Sequence, residues 1–404
     1  MTTLPNTIIL TFSPGGSLTR WSVLGRIDRE RDLLRGLLGI APHIVFVART
    51  GPRDAQIAAA LQEELGGRID AIALDEPDAE LGPGRPPHER VLARLGATRR
   101  VVIQTLQLDD GGIARQLVNP LRRAGVQAAL VARGGFIGSR VLAAECGPHA
   151  YPTVTAGVRE HALCQQAQYV VGVSECMIDE LCWRHGVNPA RTRVIPHFIK
   201  DVGEPPERAK RDPGLVLTVG ELTDTRGVDL VIRAMAAQAD GVRERLQLVV
   251  VGDGPCREPL GALAGELGVR ASLPGRLPHD EVMSLMRTCS IFVHVSSQRR
   301  LSRSLLEAMS HGCPVITSDI PEFDGLIDNG STGIRVKPVP EAIAFAIASM
   351  ADDQDWREMI GSSAADVARA KCALEVVISR TRAVYADALR IAPATVAPRH
   401  RKAG

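Results

Sequence analysis

Residues 296–319, SSQRRLSRSLLEAMSHGCPVITSD, combine a helix start rich in small polar side chains with a single carboxylate, Glu307, inside the helix that follows. The apolar run IFVHV at 291–295 enters this stretch and PVIT leaves it, while Leu305, Leu306 and Met309 mark one apolar helix face. A strand, turn, helix, strand unit of this kind brings backbone N–H groups and a carboxylate to the carboxyl end of a parallel sheet, where α/β proteins bind phosphates and sugars. An ordinary crossover helix has the same spacing.

A second candidate lies near the N-terminus. TIILTF at 7–12 is broken by SPGGSL, and Trp21, Leu24, Ile27, Leu34, Leu37 and Leu38 then recur at the spacing of one long helix. Gly15 and Gly16 would let a ligand approach the backbone and meet the positive end of a helix dipole. Without a third spaced glycine, a tight turn explains the pair equally well. Arg20, Arg26, Arg29, Arg31 and Arg35 are interleaved with Asp28, Glu30 and Asp32, the pattern of a solvated, salt-bridged face rather than a membrane-docking one.

The elements that must position these residues alternate regularly. Strand-like runs at 44–48, 71–74, 100–106, 127–135, 169–174 and 193–196 are separated by helical patterns, which implies a parallel, doubly wound sheet. The segment 201–212, DVGEPPERAKRD, reads as a linker, after which the alternation restarts at LVLTVG, 215–220. The expected organisation is an N-terminal domain over 1–200, a C-terminal domain over 213–375, a helix at 376–390 returning towards the first domain, and a disordered tail at 391–404. Two such domains would face each other across a cleft able to hold two substrates.

Composition narrows the function. The 404 residues carry 48 basic and 46 acidic side chains, a net charge of +2, and 3% aromatics, which argues against nucleic acid as a partner. The eight cysteines form no CxxC pair and no zinc-like Cys/His cluster, so they read as apolar fillers in a reducing compartment. No signal peptide or membrane span is evident. The expected location is the cytoplasm, at most with peripheral contact to the inner membrane face.

The motifs VGELTDTRGVDLVIRAM at 219–235, VVVGDGPCREPL at 249–260, LPGRLPHDEVMSLMRTCSIFVHVSS at 273–297 and SLLEAMSHGCPVITSDIPEFDGLIDNGSTGIRV at 304–336 together resemble the retaining glycosyltransferases of family 4. SPGGSL, VGVSE and VIPHFI extend the likeness more loosely, with His197 where the family more often has Asn. The resemblance implies the GT-B fold of two Rossmann-like domains. It also implies transfer of a sugar from a nucleotide-sugar donor to a hydroxyl acceptor (a small molecule, glycan or lipid-linked glycan), with retention, no metal and no cofactor beyond the co-substrate. Glu307 would accept hydrogen bonds from the ribose hydroxyls, the N–H groups around Ser304 and Leu305 would face the diphosphate, and backbone near Leu277 would meet the base.

Further positions follow from the same likeness. Gly16 and Gly220 would approach the donor, and Arg226 replaces a lysine phosphate ligand. Two positions depart from it. Glu221 follows Gly220 where the family has a phosphate-binding Arg, and Arg299 stands where the family has a sugar-binding Glu. Three explanations compete: Arg299 takes over the diphosphate with Glu221 pairing it or Arg226, the donor carries an anionic sugar, or catalysis is lost and the chain is a sugar-nucleotide-binding or partner subunit. Gly15, Arg133 and His197 complete the candidate cleft residues, Arg133 as a ligand of a phosphate or acidic acceptor or merely a loop arginine. No catalytic residue is singled out.

Overall fold

The computed structural model describes residues 4–76, 85–97, 99–110, 112–200 and 211–393. In the first part of the chain the order is β1 (Thr7–Thr11), α1 (Leu18–Val23), α2 (Ile27–Leu38), β2 (His43–Ala48), α3 (Asp54–Leu65), β3 (Arg68–Ala73), α4 (Pro87–Leu95), β4 (Arg100–Thr105) and α5 (Ile113–Arg123). It continues through β5 (Gln127–Arg133), α6 (Gly138–Cys146), α7 (Tyr151–Gln166), β6 (Tyr169–Gly172), α8 (Glu175–His185) and β7 (Thr192–Val194). The second part runs β8 (Asp212–Val219), α9 (Val228–Ala236), α10 (Asp240–Arg243), β9 (Gln247–Val251), α11 (Arg257–Glu266), β10 (Ala271–Gly275), α12 (His279–Thr288) and β11 (Cys289–His294). Then come α13 (Arg303–Ser310), β12 (Val315–Ser318), β13 (Ile334–Val336), α14 (Pro340–Asp352), α15 (Gln354–Cys372) and α16 (Leu374–Ile391).

The chain divides into two compact units, 1–196 with 374–404, and 197–373. The first holds a parallel sheet in the order β3-β2-β1-β4-β5-β6-β7, the second one in the order β10-β9-β8-β11-β12-β13. Strands such as TIILT and HIVFVA are buried at every residue, as expected of parallel strands covered by helices on both faces. In each sheet the strand order reverses once, between β1 and β4 and between β8 and β11. Each reversal leaves a crevice at the carboxyl ends of the two strands, the place where open α/β sheets take ligands.

Several expectations are corrected. The single long helix after the glycine pair is two helices, broken where Gly25 adopts φ +63°. Its charged face does form ion pairs, Arg31 with Asp28 at 3.0 Å and Arg35 with Asp32 at 2.8 Å. Residues 197–200, expected in the first domain, cluster with the second, where Ile199 N–H donates to Cys372 O at 2.9 Å. Leu374 and Glu375, expected in the second, begin α16 and cluster with the first unit. Asp212, placed in the linker, already belongs to β8; linker residues 201–210 and tail residues 394–404 lie outside the described residues.

Helix α16 shows how pattern becomes packing. Val377, Thr381, Val384, Tyr385, Ala388 and Leu389 form one buried stripe set against β4, β5 and α2. Tyr385 is fully enclosed and its hydroxyl donates to Gln104 Oε1 at 3.0 Å, while burial pushes its phenol pKa up.

Candidate functional site

In the second unit the floor of the crevice is built by three strand-to-helix loops. Gly220 N–H donates to Val251 O at 3.0 Å, Leu222 N–H to Asp253 O at 3.0 Å and Gly252 N–H to Gly275 O at 2.9 Å. This cross-strapping requires contact too close for any side chain. Gly252 has φ +141°, and a Cβ there would lie 1.8 Å from Gly220 O. Beyond β10, Leu277 is half-buried in the loop 276–278 leading to α12.

The wall comes from the loops after β8 and β11. Thr225 O accepts from Ser297 N at 3.0 Å and from Ser296 Oγ at 3.0 Å. Ser296 N–H in turn donates to Ser318 Oγ at 2.7 Å. Arg226 is the next residue after this anchor, at the end of a short 3-10 turn, and it is half-buried. Its guanidinium forms no hydrogen bond or ion pair with another residue among the described residues. Burial lowers its pKa, with the nearby Glu221 carboxylate acting in the opposite sense. Arginine stays charged regardless, so a partly desolvated cation stands at the switch point of the sheet. Neighbouring His294 ends β11 and is buried; burial first and the Arg226 charge second push its pKa down to about 3.

Helix α13 opens with a bare N-terminus. Its cap residue Ser302 makes no capping bond, its hydroxyl instead meeting Ser304 Oγ at 2.9 Å. Ser304 Oγ also lies 3.0 Å from Val219 O, to which it donates, which ties the first turn to the end of β8. The N–H groups of Arg303, Ser304 and Leu305 precede the first helical bond, from Leu306 N to Ser302 O at 3.3 Å. Together with the helix dipole they make an anion-binding end. Leu305 and Leu306 are fully buried and hold the helix on the sheet, while Glu307 is half-buried on the next turn. His311 Nδ1 donates to the Glu307 carbonyl at 2.8 Å, which fixes the proton on Nδ1, since a carbonyl can only accept.

Arg299 Nε lies 3.2 Å from Glu322, a residue in the turn after β12. Sequence reasoning gave no role to Glu322, His294 or the Thr225 anchor. Glu322 had one visible mark, an acidic residue between Pro321 and an apolar Phe323 in a turn after a strand. Gly220, Glu221, Arg226, Leu277, Arg299, Ser304, Leu305 and Glu307 all belong to loops and helix starts at the carboxyl end of this sheet.

The remaining candidates are distributed differently. Gly15 and Gly16 form the turn after β1, closed by Gly16 N to Ser13 O at 2.8 Å. Arg133 ends β5, its backbone N–H donating to Thr105 Oγ1 at 2.9 Å. His197 is the first residue of the second unit and half-buried. Among the described residues no group of three or more His, Cys, Asp and Glu could hold a metal ion, and no helix is long and apolar enough to cross a membrane.

Two parallel-sheet α/β units of this topology constitute the GT-B fold of glycosyltransferase structures. Residues 203–367 match the family model of glycosyl transferases group 1. The chain is 31% identical over 180 residues to the alpha-D-kanosaminyltransferase of Streptomyces kanamyceticus, covering 44% of this chain and 46% of that protein. It is 28% identical over 226 residues to the D-inositol 3-phosphate glycosyltransferase of Acidothermus cellulolyticus, covering 51% and 50%. The chain thus spans about half the length of the curated relatives it matches. Among solved structures it is similar to Anabaena HepE in complex with UDP, with TM-score 0.70 and 17% identity over 93% of this chain and 98% of that one. Sucrose-phosphate synthase from Thermosynechococcus elongatus gives TM-score 0.70 and 20% identity, covering 94% and 98%.

Proposed function

We propose that this chain is a glycosyltransferase that binds a nucleoside diphosphate sugar at the carboxyl end of the second sheet and transfers the sugar, with retention, to a hydroxyl acceptor. The observation that carries this reading is Arg226, a half-buried cation without a protein partner among the described residues, in the same crevice as the uncapped N-terminus of α13. A diphosphate supplies hydrogen-bonding acceptors and counter-charge to this guanidinium, and Glu307 suits the ribose hydroxyls because a carboxylate accepts two at once. As the bond to the sugar breaks, negative charge grows on the diphosphate, and these preformed donors stabilise it without reorganising. They take the part a metal ion plays elsewhere, and the departing phosphate oxygen takes up the proton of the attacking hydroxyl on the same face of the sugar.

The eight free cysteines fit action in the reducing cytoplasm. One observation favours a second reading, a nucleotide-sugar-binding subunit without catalysis: Arg299 and Glu221 reverse the charge usual at their positions in family 4. Incubating the protein with a panel of nucleotide sugars, with and without EDTA, separates the two. Slow release of nucleoside diphosphate that persists in EDTA supports the transferase; binding with no release from any donor supports the subunit.

A further inference from the structure

Cys289 opens β11 and Cys313 lies in the turn 311–314 between α13 and β12, and both side chains are fully buried. Their sulfur atoms are 3.5 Å apart, and Met286 O is 2.7 Å from Cys313 Sγ. Arg211 straps the two segments together. Its guanidinium donates to Cys289 O at 2.9 Å and to His311 O at 2.7 Å, while Phe292 N–H donates to Pro314 O at 2.9 Å just beyond the pair. Burial disfavours the Cys313 thiolate, but the hydrogen bond from Cys289 and the charge of Arg211 outweigh it, so the Cys313 pKa falls. The same hydrogen bond, with burial, pushes the Cys289 thiol up. One sulfur is thus readied as a nucleophile beside a fixed cation, the setting in which cysteines react, and the other keeps its proton. Arg211 also lines a cavity of about 20 Å³ with Pro213, Pro314, Gln354, Arg357 and Glu358, room for one water-sized molecule.

We propose that Cys289 and Cys313 form an oxidation site, which hydrogen peroxide converts into a disulfide. The Cys313 thiolate attacks one peroxide oxygen and breaks the O–O bond, giving a sulfenic acid and a hydroxide that takes up the proton Cys313 released. The Cys289 thiol then attacks the sulfenic sulfur, which forms the S–S bond and expels a second water. Two thiols and one peroxide become one disulfide and two waters. The sulfur atoms close from 3.5 Å to about 2.0 Å. Because the two cysteines bracket β11 and α13, the bond locks that whole segment into a covalent ring, and a reducing thiol such as glutathione releases it. In a reducing compartment the lock is transient and forms under oxidative load. Nothing in this chemistry depends on the nucleotide-sugar reading.

Brief peroxide treatment of the full, folded chain, then blocking of free thiols under denaturing conditions and tryptic mass mapping, reads the bond directly. The expected product joins peptide 288–299 to peptide 304–335, lacks two hydrogens relative to the dithiol pair, and disappears with dithiothreitol. Its Tm lies about 5–10 °C above that of the reduced protein, the scale for closing a loop of this length in a unit of this size. Cys289→Ser and Cys313→Ser lose both the cross-link and the Tm gain; where a variant does not fold, the mapping on the wild type decides alone. Free thiols at both positions after treatment overturn the proposal, as does oxidation of either to sulfinic or sulfonic acid without the cross-link. A cross-linked chain that melts below the reduced one overturns the lock.

Discussion

Ser304 Oγ donates to the carbonyl of Val219 at 3.0 Å, so the first turn of α13 is latched to the last residue of β8. The helix end that would face a diphosphate is thereby fixed to the strand that carries the Gly220 loop. Ser304→Ala removes the latch and leaves the carbonyl without this donor, at a cost of about 1 kcal/mol. The expected outcome is a roughly fivefold weaker Kd for UDP with little change in fold by circular dichroism.

Arg226 carries a trade between stability and binding. A half-buried cation with no hydrogen-bonded or ion-paired partner among the described residues, and only the exposed Glu221 carboxylate nearby, is unfavourable in the free protein, so Arg226→Met should raise the melting temperature slightly or leave it unchanged. The same change should weaken UDP by about 10- to 100-fold, because a charged hydrogen bond contributes about 1.5–3 kcal/mol. Differential scanning calorimetry and a nucleotide titration on one preparation check both halves.

His294 makes stability depend on pH. Its folded pKa, about 3, lies below the unfolded value, so between the two the unfolded chain binds a proton that the native chain excludes. Stability must therefore fall as pH drops from about 6.5 towards 3, by up to about 1.4 kcal/mol per pH unit from this group. His311 shifts in the same direction, so the slope is expected to shrink, not vanish, in His294→Gln. Urea titrations of both proteins across this range measure the difference.

Tyr385→Phe tests whether α16 is integral to the first unit. The change leaves Gln104 Oε1 buried without its donor, and a loss of about 1–3 kcal/mol is expected from chemical denaturation. A change within about 0.5 kcal/mol would mean that the hydroxyl is dispensable there.

Much of this architecture was legible because parallel strands announce themselves as unbroken apolar runs, such as IVFVA at 44–48 within β2 and IFVHV at 291–295 around the end of β11. The break at Gly25 was not legible, since Leu24 and Ile27 keep the helical spacing across it. At the candidate site, Gly15, Gly16 and the helix start before Glu307 could be named from local chain chemistry, whereas Gly220 and Arg226 were named through the resemblance to family 4. The approach of Glu322 to Arg299 could not be named from either. Glu322 lies 23 residues away on another strand end, and the pairing exists only once β11 and β12 stand side by side. The crowding of Gly252 against Gly220 is likewise a product of neighbouring loops, invisible in either motif alone.

The most direct test of the central claim is calorimetric titration of UDP into the wild type and Arg226→Gln. One binding site per chain is expected in the wild type, with a Kd weakened by about 10-fold or more in the variant. Binding of equal strength in the two proteins, or none in either, would contradict it.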